Sequence, residues 1–221
     1  MSILSSRLQP WLLGICIAPA LLALAGCSTL PKAPVTSTAT PQSLVRTQTL
    51  GKADRFSLEA KLAVQYAGKG YTARLLWRHQ ADSDDLRIFS PLGQQVAWIQ
   101  RSASGVTLTD QQGKQHQAAD VASLTERLLG WRLPLSGLSQ WVLGLPHTGS
   151  PYQASYLANG APQTLQQEGW QIEYDEYQQV TLPQASGALT ESLPFYVRLL
   201  QQDVRLKLAI QQWSLPPGTA D

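Results

Sequence analysis

Apolar and polar residues alternate along most of this chain. Between Phe56 and Tyr66, apolar side chains occupy nearly every second position and mostly polar ones fall between them. A period of two over a stretch of this length predicts a long strand with one buried face. Shorter stretches of the same kind predict strands at 71–78, 86–90, 95–101, 105–110, 114–117, 170–174, 195–199 and 204–213. Residues 152–167 show no clear period, so the sequence does not assign them to a strand or a helix.

The period changes in the middle of the chain. Apolar residues at helical spacing predict a helix that ends at Gly130, with Asp120 as its N-cap. Ser123 and Glu126 have the spacing of a capping box, which is the alternative and would start the helix later.

A second helix is predicted after Pro134, with Ser136 as its N-cap and Pro146 as its stop. Its apolar positions are Leu138, Trp141, Val142 and Leu145. A short helix is also predicted at 42–51, where the apolar residues are Leu44, Val45 and Leu50.

Strands, two helices and strands again predict an α+β protein that is mostly β. Two helices cannot cover a large sheet as a separate layer, but they can plug the concave face of a strongly curved antiparallel sheet. Tryptophans fall on apolar-face or helix positions: Trp77, Trp98, Trp131, Trp141, Trp170 and Trp213. A lined cavity and an aromatic-rich core both use such residues, so the pattern leaves both open.

Residues 1–26 have the pattern of a bacterial export signal. Arg7 is followed by an apolar stretch at 11–25, which is shorter than the about 20 residues of a membrane-spanning helix. Leu24-Ala25-Gly26-Cys27 resembles the lipobox of bacterial lipoproteins, so we expect cleavage before Cys27 and acylation of its thiol. The alternative is a buried N-terminal hairpin with a chance cysteine. Ser28 favours delivery to the outer membrane under the enteric sorting rule.

The remaining chain divides into an acylated cysteine with a flexible tether at 27–41, rich in Pro, Ser and Thr, and one domain at 42–221. The chain has 17 basic and 15 acidic residues, and removal of Arg7 leaves 16 − 15, or +1. This balance argues against a nucleic-acid binder. Charged residues are 14% of the chain, against about 25% in a typical domain.

Sites for metal or covalent chemistry are not predicted. His79, His116 and His147 have no metal-ligand spacing, so we expect surface or loop histidines. The chain has no G-x-S-x-G motif, no cysteine after processing and no glycine-rich phosphate loop. Glu173, Asp175 and Glu176 are expected at a solvated strand edge, and the alternative is an acidic contact for a basic partner.

Two segments resemble the LolB family of outer-membrane lipoprotein receptors. Residues 130–146 (GWRLPLSGLSQWVLGLP) contain Pro-Leu, Leu-x-x-Trp and Leu-Gly-Leu-Pro, as that family does. Ser90-Pro91-Leu92-Gly93 is similar to its short protruding loop, which usually has Asn at position 90. The resemblance extends over nearly all of the chain after Cys27 and is weakest at 150–195.

The resemblance implies a half-open antiparallel β-barrel of about eleven strands, with a helical lid over a hydrophobic cavity. It implies a receptor, anchored in the outer membrane through Cys27, that accepts lipoproteins from the periplasmic carrier LolA. It implies a monomer without enzymatic activity or cofactor, whose partners are LolA, acylated lipoprotein cargo and outer-membrane phospholipid. The expected cavity and lid residues are Trp77, Leu138, Trp141, Val142, Leu145, Trp170 and Trp213.

Pro91, Leu92 and Gly93 form the membrane-targeting loop that the resemblance implies. A tight turn would present Leu92 outward, and burying one leucine contributes about 1.5–3 kcal/mol. That is enough to bias docking but not to anchor the protein. The alternative for Leu92 is a packed turn residue, and the alternative function is an envelope lipoprotein that binds a free lipid or acts as an assembly scaffold.

Overall fold

The computed structural model describes residues 39–51, 55–184 and 187–214. The predicted signal peptide at 1–26, the acylated Cys27 and nearly all of the tether lie outside these described residues. Within them, no helix has the length and hydropathy needed to cross a bilayer.

The described residues form one antiparallel sheet of eleven strands. The strands are β1 (Arg55–Tyr66), β2 (Lys69–Gln80), β3 (Ser83–Phe89), β4 (Gln95–Ser102), β5 (Gly105–Asp110), β6 (Gln115–Ala118), β7 (Tyr152–Tyr156), β8 (Pro162–Gln167), β9 (Trp170–Gln184), β10 (Gly187–Gln201) and β11 (Val204–Ser214). Their spatial order is β6-β5-β4-β3-β2-β1-β11-β10-β9-β8-β7. Since β6 and β7 are both edges, the sheet stays open. The predicted mostly-β, half-open fold is confirmed.

The same part of the chain contains three helices, α1 (Pro41–Leu50), α2 (Val121–Leu129) and α3 (Leu135–Trp141). Asp120 caps α2, because its Oδ1 accepts a hydrogen bond from the Ser123 backbone N–H at 2.8 Å. The earlier of the two predicted starts is therefore correct. Gly130 ends α2 in the left-handed region, at φ 83°.

The predicted cap of α3 is wrong. The helix begins at Leu135, directly after Pro134, so Ser136 lies inside the first turn and no side chain caps the helix. Pro134 is the N-cap residue, at φ −84° and ψ 64°, and the Leu138 N–H donates to its carbonyl at 2.8 Å, which closes the first turn. The helix also ends earlier than predicted, at Trp141, and residues 142–144 continue it as a turn.

The core lies between the concave face of the sheet and helices α2 and α3. Inward positions of the central strands, such as Leu75, Leu86 and Ile99, are at most 3% exposed. They join the buried residues of α2 and α3 in one apolar cluster. The alternation read from the sequence therefore assigns the inner face of these strands correctly.

Trp98, which the sequence places on an apolar face, lies outside this core. Trp98 is on the convex face, where the Arg87 guanidinium stacks at 5.1 Å from its ring and Asp85 Oδ2 accepts its indole N–H at 2.9 Å. Its neighbour Ile99 takes the inward position instead.

The short helix predicted at 42–51 is present as α1, and it buries a face that includes a charged residue. Its buried residues are Ser43, Arg46 and Leu50, which share one face at spacings of three and four. Of the three apolar residues of the predicted helix, only Leu50 is buried, and Leu44 and Val45 are 55% and 62% exposed. A buried arginine therefore takes a position that a leucine or valine would be expected to fill.

The strand register defines two ends of the sheet. One end, called here the Leu92 end, carries the turns at 67–68, 90–94 and 111–114. The opposite end, called the α1 end, carries the turns at 81–82 and 157–161. There α1 packs against Gly160, whose backbone contacts Gln42.

Substitution of Gly160 tests how closely α1 packs. Gly160 has φ 79°, and a Cβ added there would lie 2.5 Å from the Gln42 carbonyl carbon. We expect Gly160→Ala to lower the free energy of unfolding in urea by at least about 2 kcal/mol, from backbone strain and the clash together.

Gly149→Ala is the matched control, because Gly149 has φ 87° and no atom within 4 Å of an added Cβ. That variant should lose only about 1 kcal/mol, from backbone strain alone. Equal losses for the two variants would contradict close packing of α1 on the 157–161 turn.

Candidate functional site

The residues predicted to line a cavity and a lid lie together under the sheet. Each is at most 8% exposed and each belongs to the single apolar cluster. They are Trp77, Leu138, Trp141, Val142, Leu145, Trp170 and Trp213. The centroids of the Trp141 and Trp170 rings are 6.5 Å apart, so the lid indole packs toward the inner face of β9.

Protein side chains pack closely around the largest residues of this interior. Trp77, Trp141 and Val142 are 0% exposed, so they border no space wide enough for a water molecule. Gly137 helps to achieve this, because a Cβ there would lie 2.6 Å from Cζ2 of the Trp141 indole. The hydrophobic cavity implied by the resemblance is thus occupied by the lid itself, and acyl chains would need α3 to move.

The two indoles at the centre of this interior have fixed hydrogen-bond acceptors. Trp77 Nε1 donates to Asp84 Oδ1 at 2.8 Å, and Trp141 Nε1 donates to Gln167 Oε1 at 2.8 Å. A buried indole N–H without an acceptor would lose the water it binds in the unfolded chain. These polar contacts therefore set the positions of the largest apolar side chains.

Asp84 is a buried carboxylate at the α1 end of the sheet. Besides Trp77, it binds His79 through Nδ1 at 2.7 Å and Arg101 through Nε at 2.5 Å. Its side chain is 1% exposed, so the Arg101 guanidinium supplies the charge partner that a buried carboxylate needs. Beside it is a cleft of about 940 Å³, whose lining includes Arg78, Asp84 and Arg101.

Gln167 holds the chain that follows the lid. Its Oε1 also accepts the His147 backbone N–H at 2.7 Å, and its Nε2 donates to the carbonyls of His147 and Ser150 at 2.7 and 3.0 Å. One buried amide thus ties the Trp141 indole and residues 147–150 to β8. Desolvation alone would raise the pKa of the adjacent Glu168, but hydrogen bonds from His147 and Ser150 lower it below its usual value.

Arg46 holds the other side of the same segment. Its Nη2 donates to the Leu143 carbonyl at 2.9 Å, and its Nη1 donates to the Ser192 carbonyl of β10 at 2.6 Å. Gly144 permits this contact, because a Cβ there would lie 3.2 Å from Arg46 Nη2. Burial lowers the pKa of Arg46, and Glu191, at 3.7 Å, acts in the opposite direction.

The lid consists of residues 120–146, which include α2 and α3. Apart from the covalent chain at its two ends, side chains alone join it to the sheet. In the described residues, the backbone hydrogen bonds of 120–146 are local, and none reaches a strand. Gln167 and Arg46 hold its later part, and the Tyr66 hydroxyl donates to the Gly130 carbonyl at 2.8 Å between α2 and α3. A displacement of the lid would therefore leave the strand ladder intact.

The loop around Leu92 is a closed turn that projects one apolar side chain. The Ser90 N–H donates to the Gln94 carbonyl at 2.8 Å, and the Gly93 N–H donates to the Ser90 carbonyl at 2.9 Å. Gly93 takes φ 84°, which favours glycine. Leu92 is 89% exposed, so the alternative of a packed turn residue is wrong.

Other apolar side chains are exposed at the Leu92 end. Tyr71 is 61% exposed. Phe89 pairs with Arg74 of β2, and Leu92 and Tyr71 each lie three residues from that pair toward the same end of the sheet. Leu129, at the end of α2 beside the Gly130–Tyr66 contact, is 51% exposed. The Leu92 turn and the connection between α2 and α3 therefore lie at the same end of the molecule.

Comparison with known proteins assigns the chain to a family. A family model described as "Outer membrane lipoprotein LolB" matches residues 54–213. The chain belongs to the LolB family. An outer-membrane lipoprotein LolB from Chromobacterium violaceum is 35% identical over 158 residues, which are 72% of this chain and 79% of that protein. Another, from Nitrosomonas europaea, is 31% identical over 205 residues, 93% of this chain and 92% of that protein.

A solved structure also resembles this LolB-family chain. It is a LolA superfamily protein from Nitrosomonas europaea, with 10% sequence identity and a TM-score of 0.49. The comparison covers 81% of this chain and 94% of that protein.

The histidines of this LolB-family chain each lie beside a carboxylate. Nitrogen–oxygen distances are 2.7 Å for His79 and Asp84, 3.1 Å for His116 and Asp110, and 2.5 Å for His147 and Glu168. The side chain of His79 is only 13% exposed, so its prediction as a surface or loop histidine is wrong. Nowhere in the described ranges do three or more His, Cys, Asp or Glu side chains form a group that could hold a metal ion.

The acidic residues of β9 are solvated, as expected, but Glu173 does not lie at a strand edge, because it pairs with both β8 and β10. Glu173 and Asp175 lie on the outer face, where Arg198 is 3.0 Å from Glu173 and 4.0 Å from Asp175. Glu176 has φ 54° and marks an irregularity in the strand.

Arg46, Gln167 and Asp84 were not predicted as site residues. The sequence could have indicated that Arg46 is buried, because it lies four residues before the apolar Leu50 on one face of the predicted 42–51 helix. Gln167 had none, because it ends a stretch without clear periodicity and is one glutamine among many.

Substitution of Gln167 tests the lid attachment in this LolB-family chain. Gln167→Met keeps the side-chain length but leaves the Trp141 indole and the polar groups of His147 and Ser150 without partners. We expect a loss of about 3–5 kcal/mol in the free energy of unfolding. We also expect the amides of α3 to exchange hydrogen at least about tenfold faster relative to those of β9.

Gln166→Met is the matched control, because Gln166 is an exposed neighbour on the same strand. It should change the unfolding free energy by less than about 0.5 kcal/mol. Unchanged exchange in α3 of the Gln167 variant would show that this residue does not hold the lid.

Proposed function

We propose that this LolB-family chain receives acylated lipoproteins from the carrier LolA and passes them to the outer membrane. Their acyl chains bind between the concave face of the sheet and a displaced lid. The observation that carries the proposal is the apolar interior covered by a helix that only side chains attach to the sheet.

The physical need for such a site comes from exposure of fatty chains to water. Each methylene transferred from a dry environment costs about 0.8 kcal/mol, and an acylated lipoprotein carries tens of them. A passage from one protein interior to another keeps these groups out of water. Only the difference between two apolar environments then has to favour transfer, so no nucleotide hydrolysis is needed at this step.

Movement of the lid exchanges one apolar occupant for another. Leu138, Trp141 and Val142 are buried under the sheet. Acyl chains that enter in their place bury a comparable apolar surface, which offsets the loss of the lid contacts. The remaining cost is that of the polar contacts made by Gln167 and Arg46, and these determine how readily the lid opens.

The Leu92 end is the side from which cargo leaves in this proposal. Leu92, Tyr71 and Leu129 are exposed there, beside the connection between α2 and α3. Insertion of Leu92 into a bilayer would contribute about 1.5–3 kcal/mol, which orients the receptor without replacing its lipid anchor.

An exchange assay tests the proposed function. The chain from residue 28 onward, without the acyl anchor, is mixed with LolA that carries a labelled lipoprotein. We expect the label to move to this chain, and then to liposomes of outer-membrane phospholipid. Retention of all label on LolA would contradict the proposal. Binding of free phospholipid in the same samples would favour a lipid-holding protein instead.

Leu92→Glu separates acceptance from delivery. The variant should accept labelled lipoprotein from LolA at the normal rate, because residue 92 is outside the apolar interior. Its transfer to liposomes should fall about tenfold or more, because a carboxylate cannot enter the bilayer without a large desolvation cost. The transfer rate is measured by flotation of the liposomes.

Gln112→Glu adds the same charge in the exposed 111–114 turn at the same end, and should deliver normally. Normal delivery by Leu92→Glu would exclude a membrane role for Leu92.

A further inference from the structure

Two buried polar atoms have no hydrogen-bond partner in the part of the chain that the structure describes. They are Nε of Arg46 and the hydroxyl oxygen of Tyr174. The two residues are 6% and 5% exposed. Buried polar groups are nearly always paired, so each exception calls for a physical reason.

The two atoms belong to one region. Tyr174 faces inward on β9, two residues after Ile172, and Arg46 reaches the same interior from α1. Burial raises the pKa of the Tyr174 hydroxyl, and the Arg46 charge is near enough to oppose this. The nearby Tyr177 is already engaged, because its hydroxyl donates to the Pro162 carbonyl at 2.6 Å.

Both atoms carry hydrogens to donate, and a third donor beside them is held by the lid. Arg46 Nη2 donates to the Leu143 carbonyl, which belongs to the segment that has to move if acyl chains enter. Loss of that carbonyl would leave the buried guanidinium with another unpaired N–H. A buried charged donor without an acceptor is costly, so an occupant that supplies oxygen atoms is favoured there.

The charge balance indicates which kind of oxygen fits. Glu191 lies 3.7 Å from Arg46 and supplies a negative charge beside the guanidinium. A second carboxylate or a phosphate would meet Glu191, whereas a neutral carbonyl would not. Inward side chains of the same two strands, such as Ile172 on β9 and Leu193 on β10, are fully buried and apolar. A fitting ligand therefore joins neutral carbonyl oxygens to long apolar chains.

We propose that Arg46 and Tyr174 form a polar subsite for the ester carbonyl oxygens of an acylated cysteine, which replace the Leu143 carbonyl when the lid moves. This inference rests on the proposed function and names the chemistry of its cargo. The subsite also explains how opening is limited to acylated cargo. An alkane chain alone fills the apolar space but leaves the donors of Arg46 unpaired.

Tyr174→Phe tests the subsite with little change in packing. The probes are a tripalmitoylated cysteinyl peptide and its analogue with ether bonds in place of the two esters. We expect the protein without substitutions to bind the ester form about fivefold to tenfold more tightly than the ether form. Tyr174→Phe should reduce that preference to below about twofold, through weaker binding of the ester form alone.

Stability gives an independent readout. Tyr174→Phe removes a hydroxyl that has no partner among the described residues, so its unfolding free energy should stay equal or rise. Tyr177→Phe is the matched control. It breaks the bond to Pro162, so it should lose stability yet keep the ester preference of the unmodified chain.

The outcomes separate the subsite from the proposed function. Equal binding of both probes by the unmodified chain, or full ester preference in Tyr174→Phe, would overturn the subsite and leave the proposed function standing. A stability loss in Tyr174→Phe as large as that in Tyr177→Phe would show that the hydroxyl already has a partner within the protein, which also overturns the subsite. Binding of neither probe would contradict the proposed function itself.

Discussion

The apolar concave face of an open sheet has to be covered, and the rest of this structure follows from that constraint. A closed barrel would cover its own interior, but β6 and β7 do not pair and leave the sheet open. Two short helices from the middle of the chain supply the cover. Each large apolar side chain that they bury contributes about 1.5–3 kcal/mol, and the same contribution is available to any other apolar occupant.

Buried polar groups fix the positions of the largest side chains in this apolar interior. Apolar contact does not depend on direction, whereas Asp84 and Gln167 each accept an indole N–H in one geometry. The carboxylate at one end of the sheet fixes Trp77, and the amide near the other end fixes Trp141. These two hydrogen bonds therefore fix the orientations of the Trp77 and Trp141 rings, which apolar contact alone would not do.

The pattern of apolar residues predicts the inner face of the long strands, the ends of α2 and the exposed Leu92 turn, because each depends on local sequence. It misses the β7–β8 hairpin, where glutamine and threonine replace the usual alternation. It also misses Arg46 and Gln167. Their roles come from contacts with Leu143 and His147, far away in sequence, and no local period records a distant carbonyl.

The attachment of the lid by side chains alone separates two properties that many proteins couple. The backbone hydrogen bonds that join the eleven strands lie outside the lid. The polar contacts that hold the later part of the lid against the sheet come from Arg46 and Gln167. Substitutions at a few such positions can therefore change how readily the site admits a ligand, while the order and pairing of the strands stay the same.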